Sequence, residues 1–112
     1  ENIVEYVSLP ASLFGHGDFY ILKADGDSMT DAGIDNGDMV VIRKQSSADV
    51  GDIVVALDEH QLNTLKLYAG VDEETGEVIL RYCNKERYPD KEIRVRELVV
   101  QGVAKHVIKA LG

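Results

Sequence analysis

The side chains able to carry chemistry are few. His16, His60 and His106 stand alone, with no second His or Cys at metal-ligand spacing. Cys83 is the single cysteine. Asp25, Asp27 and Asp31 suggest a calcium loop, but an EF-hand loop starting at Asp25 needs other residues where Met29, Thr30 and Asn36 stand. No glycine-rich phosphate or dinucleotide pattern occurs. Neither a metal nor a cofactor is expected. Ser28 sits in Gly26-Asp27-Ser28-Met29-Thr30, which lacks the second glycine of a nucleophile elbow, and no histidine lies in an evident partner context. Lys66 falls in an alternating stretch, Leu62–Tyr68. Leu65 and Leu67 share one face of that stretch, and Thr64, Lys66 and Tyr68 share the other. A lysine among Leu65, Leu67 and Tyr68 is open to partial desolvation. On residue types alone, the plainer reading is a turn serine and a solvated strand lysine.

The elements that would position these residues read as short strands. Phe19–Leu22, Met39–Ile42, Ile53–Leu57, Val78–Leu80 and Leu98–Val100 are brief, rich in Val and Ile, and bounded by Gly or Asp. No helical stripe extends over a dozen residues. Val103–Leu111 reads as a last strand. Gly17-Asp18, Gly37-Asp38 and Gly51-Asp52 each precede an apolar run. There glycine supplies a positive φ, and the aspartate side chain can accept from nearby amides. Residues 69–77 read as a hairpin loop and Tyr88–Lys91 as a turn. About seven short strands imply an all-β, mostly antiparallel fold.

Length and composition agree. The 112 residues, 45% hydrophobic and 29% charged, suit one folded domain over residues 1–112. No apolar run is long enough to span a membrane as a helix, and no signal-peptide pattern opens the chain. A lone cysteine fits a reducing compartment. The net charge of −8 argues against binding nucleic acid by phosphate neutralisation. The charge is uneven: residues 1–80 carry sixteen acids and four bases, residues 81–112 four acids and eight bases. This implies a C-terminal surface of different character.

The run Gly26-Asp27-Ser28-Met29, Gly33-Ile34, then Gly37-Asp38 and four apolar residues resembles the S24 peptidase family. That family includes the LexA repressor, phage CI-type repressors and the UmuD mutagenesis protein. The likeness continues through Gly51-Asp52-Ile53-Val54-Val55-Ala56, Thr64-Leu65-Lys66-Leu67 and Val99-Val100-Gln101-Gly102-Val103-Ala104. Two features depart from the LexA-like pattern. Leu67 follows the lysine where an arginine is usual, and the turn Asp58–Asn63 is about one residue longer.

The resemblance implies an all-β fold of LexA and signal-peptidase type. It implies a serine endopeptidase that cleaves its own chain, with Ser28 as nucleophile and Lys66 as general base. The backbone N–H groups of Ser28 and Met29 would form the oxyanion site. A Ser–Lys dyad needs a neutral amine, and at an ordinary pKa of about 10.4 only about one lysine in 2,500 is neutral at pH 7. Apolar desolvation is the available lever. The resemblance also implies a cytoplasmic repressor of the DNA-damage response or of phage type. Its expected partners are a second copy, paired through Glu97–Ile108, and a RecA–DNA filament as co-protease. DNA would be bound only through a separate upstream domain. Twenty-seven residues precede Ser28. The chain is therefore expected to be the C-terminal part of a longer protein whose cleavage bond lies upstream. The alternative is a processed UmuD-like subunit that binds a lesion-bypass polymerase.

Overall fold

The computed structural model describes residues 2–60 and 63–111. Eight strands form one antiparallel sheet: β1 (Asn2–Val7), β2 (Phe19–Lys23), β3 (Met39–Lys44), β4 (Ile53–Asp58), β5 (Asn63–Val71), β6 (Val78–Arg81), β7 (Glu92–Val95) and β8 (Leu98–Ile108). Their order across the sheet is β1-β2-β3-β8-β4-β5-β6-β7. A single helical turn, α1 (Ala11–Phe14), links β1 to β2, and a 3-10 turn spans Thr30–Ala32. Among the described residues no helix is long and apolar enough to cross a membrane.

The all-β expectation holds. β-branched residues fill the central strands, and alternation buries both faces. Val55 on β4 joins Tyr20, Leu22, Met29, Ile34, Val40, Ile42 and Leu65 in one cluster. Its neighbours Val54 and Ala56 point the other way and join Leu80 and Val103 in a second. Strand β8 lies between β3 and β4. It therefore binds the two halves of the sheet together.

Several details differ from the sequence reading. Leu98–Val100 and the stretch from Val103, read as separate runs, form one strand that ends at Ile108. Gly102 between them is a packing glycine, not a break. A Cβ there would collide with Ile42 Cγ2, meet the Arg43 carbonyl oxygen at 2.7 Å and touch Tyr20 Oη at 3.1 Å. The hairpin loop expected at 69–77 is shorter, because β5 continues to Val71 and pairs it with Val78. Strands β1 and β7 and helix α1 were not evident in the sequence. β7 is four residues with two charges, and α1 is one turn with no buried residue. Two of the three Gly-Asp turns work as expected. Asp38 Oδ2 accepts from the Asp35 amide at 2.8 Å, and Asp52 Oδ2 from the Asp49 amide at 2.9 Å. At the third, the Asp18 carbonyl oxygen accepts from Lys44 N at 2.8 Å. Of the Asp58–Asn63 turn, Gln61 and Leu62 lie outside the described residues, as does Leu62 of the expected strand.

Candidate active site

The Ser28 loop connects β2 to β3, and its base is closed by backbone bonds. Ala24 N donates to the Asp38 carbonyl and Gly37 N to the Ala24 carbonyl, both at 2.8 Å. Gly26 takes φ +91° and donates its amide to Asn36 Oδ1 at 2.8 Å. That conformation is open to glycine and strained for most L residues. Met29 and Ile34 are buried and anchor the loop in the first cluster. Ser28 itself is half-buried, less open than an exposed loop hydroxyl. The amides of Ser28 and Met29 donate to no acceptor among the described residues. Two successive uncommitted N–H groups beside a hydroxyl are the equipment an oxyanion site requires.

The loop is held from outside by residues 82–88. Cys83 N donates to the Ser28 carbonyl and Asp31 N to the Cys83 carbonyl, each at 2.7 Å. Asn84 Nδ2 donates to the Asp27 carbonyl at 2.9 Å, and Lys85 N to Asp31 Oδ2 at 2.8 Å. Arg87 pairs with the Asp27 carboxylate, and Tyr88 Oη donates to its other oxygen at 3.2 Å. The Arg87 hydrogen bond, with a further contribution from Tyr88, holds the Asp27 carboxyl below its ordinary range. This clamp had no signal in the sequence beyond the turn at Tyr88–Lys91.

Lys66 lies on β5 opposite Val54 of β4. It is the only charged residue among the buried ones described, at 8% exposure. Its Nζ donates to the Leu65 carbonyl oxygen at 3.2 Å and stands 4.8 Å from the centroid of the Tyr82 ring. Lys91 Nζ approaches the same ring at 4.5 Å, and the Tyr82 and Tyr88 rings lie 4.9 Å apart. Burial pushes the Cys83 thiol up; Asp31 adds to this, and the Lys66 charge opposes it. Ser28 and Lys66 thus border the same dipeptide. Tyr82 touches the lysine, and Cys83 bonds the serine loop.

The remaining candidates are not gathered here. His106 packs edge-on against Phe14, with ring centroids 4.8 Å apart. Among the described residues no group of three His, Cys, Asp or Glu is arranged to hold a metal ion. An open groove of about 500 Å³ runs past Tyr20, Leu22, Val55 and Asn63, but neither Ser28 nor Lys66 lines it.

A model of the Peptidase S24-like family matches residues 1–105. A LexA repressor from Halalkalibacterium halodurans is 46% identical over 68 residues, covering 61% of this chain and 33% of that protein. One from Pelotomaculum thermopropionicum is 44% identical over 85 residues, 76% of this chain and 40% of that protein. One from Ruegeria sp. is 43% identical over 98 residues, 87% of this chain and 39% of that protein. The matched stretch spans roughly a third to two fifths of these relatives. The chain belongs to the peptidase S24-like family.

Proposed function

We propose that this member of the S24-like family is the self-cleaving domain of a LexA-like repressor, with Ser28 as nucleophile and Lys66 as general base. The observation that carries the reading is the shared dipeptide. Cys83 bonds the Ser28 carbonyl at 2.7 Å, while the ring of Tyr82 lies 4.8 Å from the buried Lys66 amine. A buried lysine needs a reason, because removing an ammonium from water is costly. General-base catalysis supplies one.

The chemistry follows from the groups. A neutral Lys66 amine takes the proton of Ser28 Oγ as the oxygen attacks the carbonyl carbon of a peptide bond. Negative charge develops on the carbonyl oxygen, and the amides of Ser28 and Met29 are free to receive it. The tetrahedral intermediate collapses to an acyl-enzyme as Lys66 returns the proton to the leaving amine. Water then attacks the ester, with Lys66 again the base. When the bond belongs to the same chain, tethering replaces a bimolecular encounter.

The relatives are named repressors, which favours this reading over a polymerase-binding subunit. Its partners are a second copy, an upstream DNA-binding domain and a RecA–DNA filament that shifts the population towards a cleavable conformation. Pairing through β8 is supported by Val99, which is 62% exposed; a strict monomer in sedimentation at high micromolar concentration would remove that part. The dyad is testable on this chain directly. A fluorophosphonate should form an adduct on Ser28, read by peptide mass spectrometry, and the adduct should fall at least tenfold in Lys66→Ala. Labelling absent from Ser28, or undiminished in Lys66→Ala, would overturn the assignment.

A further inference from the structure

The residue between the two halves of the candidate site has no part in the dyad scheme. Tyr82 is half-buried and directly precedes Cys83. Its ring centroid lies 4.8 Å from Lys66 Nζ, within the range of a cation–π contact. Cys83 exchanges two backbone bonds with the Ser28 loop, one from its own amide to Ser28 and one from Asp31 to its carbonyl. The ring is itself packed, 4.9 Å from Tyr88, whose hydroxyl reaches Asp27 beside Ser28. Any movement of Tyr82 would therefore be felt at both the amine and the loop.

We propose that Tyr82 is a positioning residue: one face of its ring seats the Lys66 amine, and its peptide link to Cys83 fixes that seat relative to Ser28. The inference rests on the Ser28–Lys66 reading and deepens it. The ring's negative face attracts an ammonium and has little hold on a neutral amine. The seat therefore favours the protonated form of the amine and raises the pH at which the amine, held in that place, becomes a base. Other groups bear on the same amine. The Leu65 carbonyl oxygen accepts from it, the Cys83 thiol is close enough to be affected by its charge, Asp31 acts on that thiol, and Lys91 lies against the same ring. Tyr82 places an aromatic face against Lys66. A leucine would keep the apolar cover and lose that face, while a phenylalanine would keep both.

The test is a titration of Lys66 in this chain by NMR, with carbon-13 at the lysine ε position. Lys66→Arg assigns the resonance. In Tyr82→Leu the midpoint should move to lower pH by about half a unit to one unit, the size of a cation–π contribution converted to a proton equilibrium. Tyr82→Phe should leave it in place. The alkaline limb of self-cleavage in the upstream-extended parent should move with it. A midpoint unchanged in Tyr82→Leu, moved upward, or shifted equally in Tyr82→Phe would overturn the proposal. If Tyr82→Leu does not fold, a trifluorinated phenylalanine at position 82 keeps the shape and weakens the face; it should give a smaller downward shift, and no shift would count against the proposal. The two readings fail separately. Undiminished fluorophosphonate labelling in Lys66→Ala would refute the dyad whatever the titration gives, whereas a static midpoint beside an intact dyad would refute only Tyr82.

Discussion

The Ser28 loop and the Asp72–Glu77 loop are both acidic and both turn on a glycine with positive φ, yet they are held by different means. In the second, Asp72 Oδ1 accepts from Glu74 N at 2.9 Å, Gly76 N donates to the Asp72 carbonyl at 2.7 Å, and Asp72 N donates to the Glu77 carbonyl at 2.8 Å. Those partners lie within five residues of one another. From outside, Arg94 adds ion pairs to Asp72 at 2.7 Å and to Glu77 at 4.0 Å. In the first loop the partners of Asp27, Ser28 and Asp31 are Cys83, Asn84, Lys85, Arg87 and Tyr88. The second loop is a turn that can form by itself. The first depends in addition on the segment between β6 and β7, far away in sequence. The proposed reactive hydroxyl sits on the loop whose geometry the whole fold must deliver.

That contrast can be broken at its strongest point by removing the anchor of the Ser28 loop. Met29→Ala should cost about 3 kcal/mol in denaturant unfolding, the scale for emptying a buried site, because Met29 is 3% exposed and packed in the main cluster. At the self-contained turn, Gly76→Ala should cost only about 1 kcal/mol, the strain of φ +76° on a residue with a Cβ, since no atom crowds that position. Gly76→Ala should leave Ser28 labelling intact. Equal losses in the two variants, or a labelling defect in Gly76→Ala, would remove the distinction.

A smaller effect on stability should accompany a change at the clamp itself. Asp27 and Asp38 are held below the ordinary carboxylate value of 3.8, the first mainly by Arg87 and the second mainly by Lys109. A carboxyl with a lowered folded pKa contributes stability that is full above its unfolded value and is lost as pH falls through the folded one. Stability should therefore hold through neutral pH and decline below about pH 4. Asp27→Asn should flatten part of that acid limb. Near neutral pH it should change stability little, because the Arg87 pair is exposed. The same variant should speed hydrogen exchange at the Cys83 and Asp31 amides. No change at those two amides would mean that the ion pair does not hold the loop.

The legible part of the molecule follows from the same contrast. Strand positions could be read because Val and Ile runs bounded by Gly-Asp carry a local signal, and the Asp38 and Asp52 turns are closed by amides three residues away. Ser28, Met29 and Lys66 were picked out by resemblance, not by residue type. Asn84, Lys85, Arg87 and Tyr88 act on the Ser28 loop across 54 to 61 residues of sequence, where no periodicity or turn pattern reports it; Cys83 and Tyr82 were missed for the same reason, since each meets a residue on a distant element. Gly102 gave no signal of its packing role for a related reason: that role lies in the approach of Ile42 and Tyr20 from other strands.

The most direct test of the central claim is the rate of self-cleavage in a parent chain extended upstream through its cleavage bond. It should be followed from about pH 6 to 10 in the native sequence, Ser28→Ala and Lys66→Ala. A Ser–Lys mechanism requires the neutral amine, so the native rate should climb roughly tenfold per pH unit until Lys66 has lost its proton, then level off. Both variants should fold and show no cleavage at any pH. A flat native profile, or cleavage that survives in Lys66→Ala, would contradict the assignment of Ser28 and Lys66.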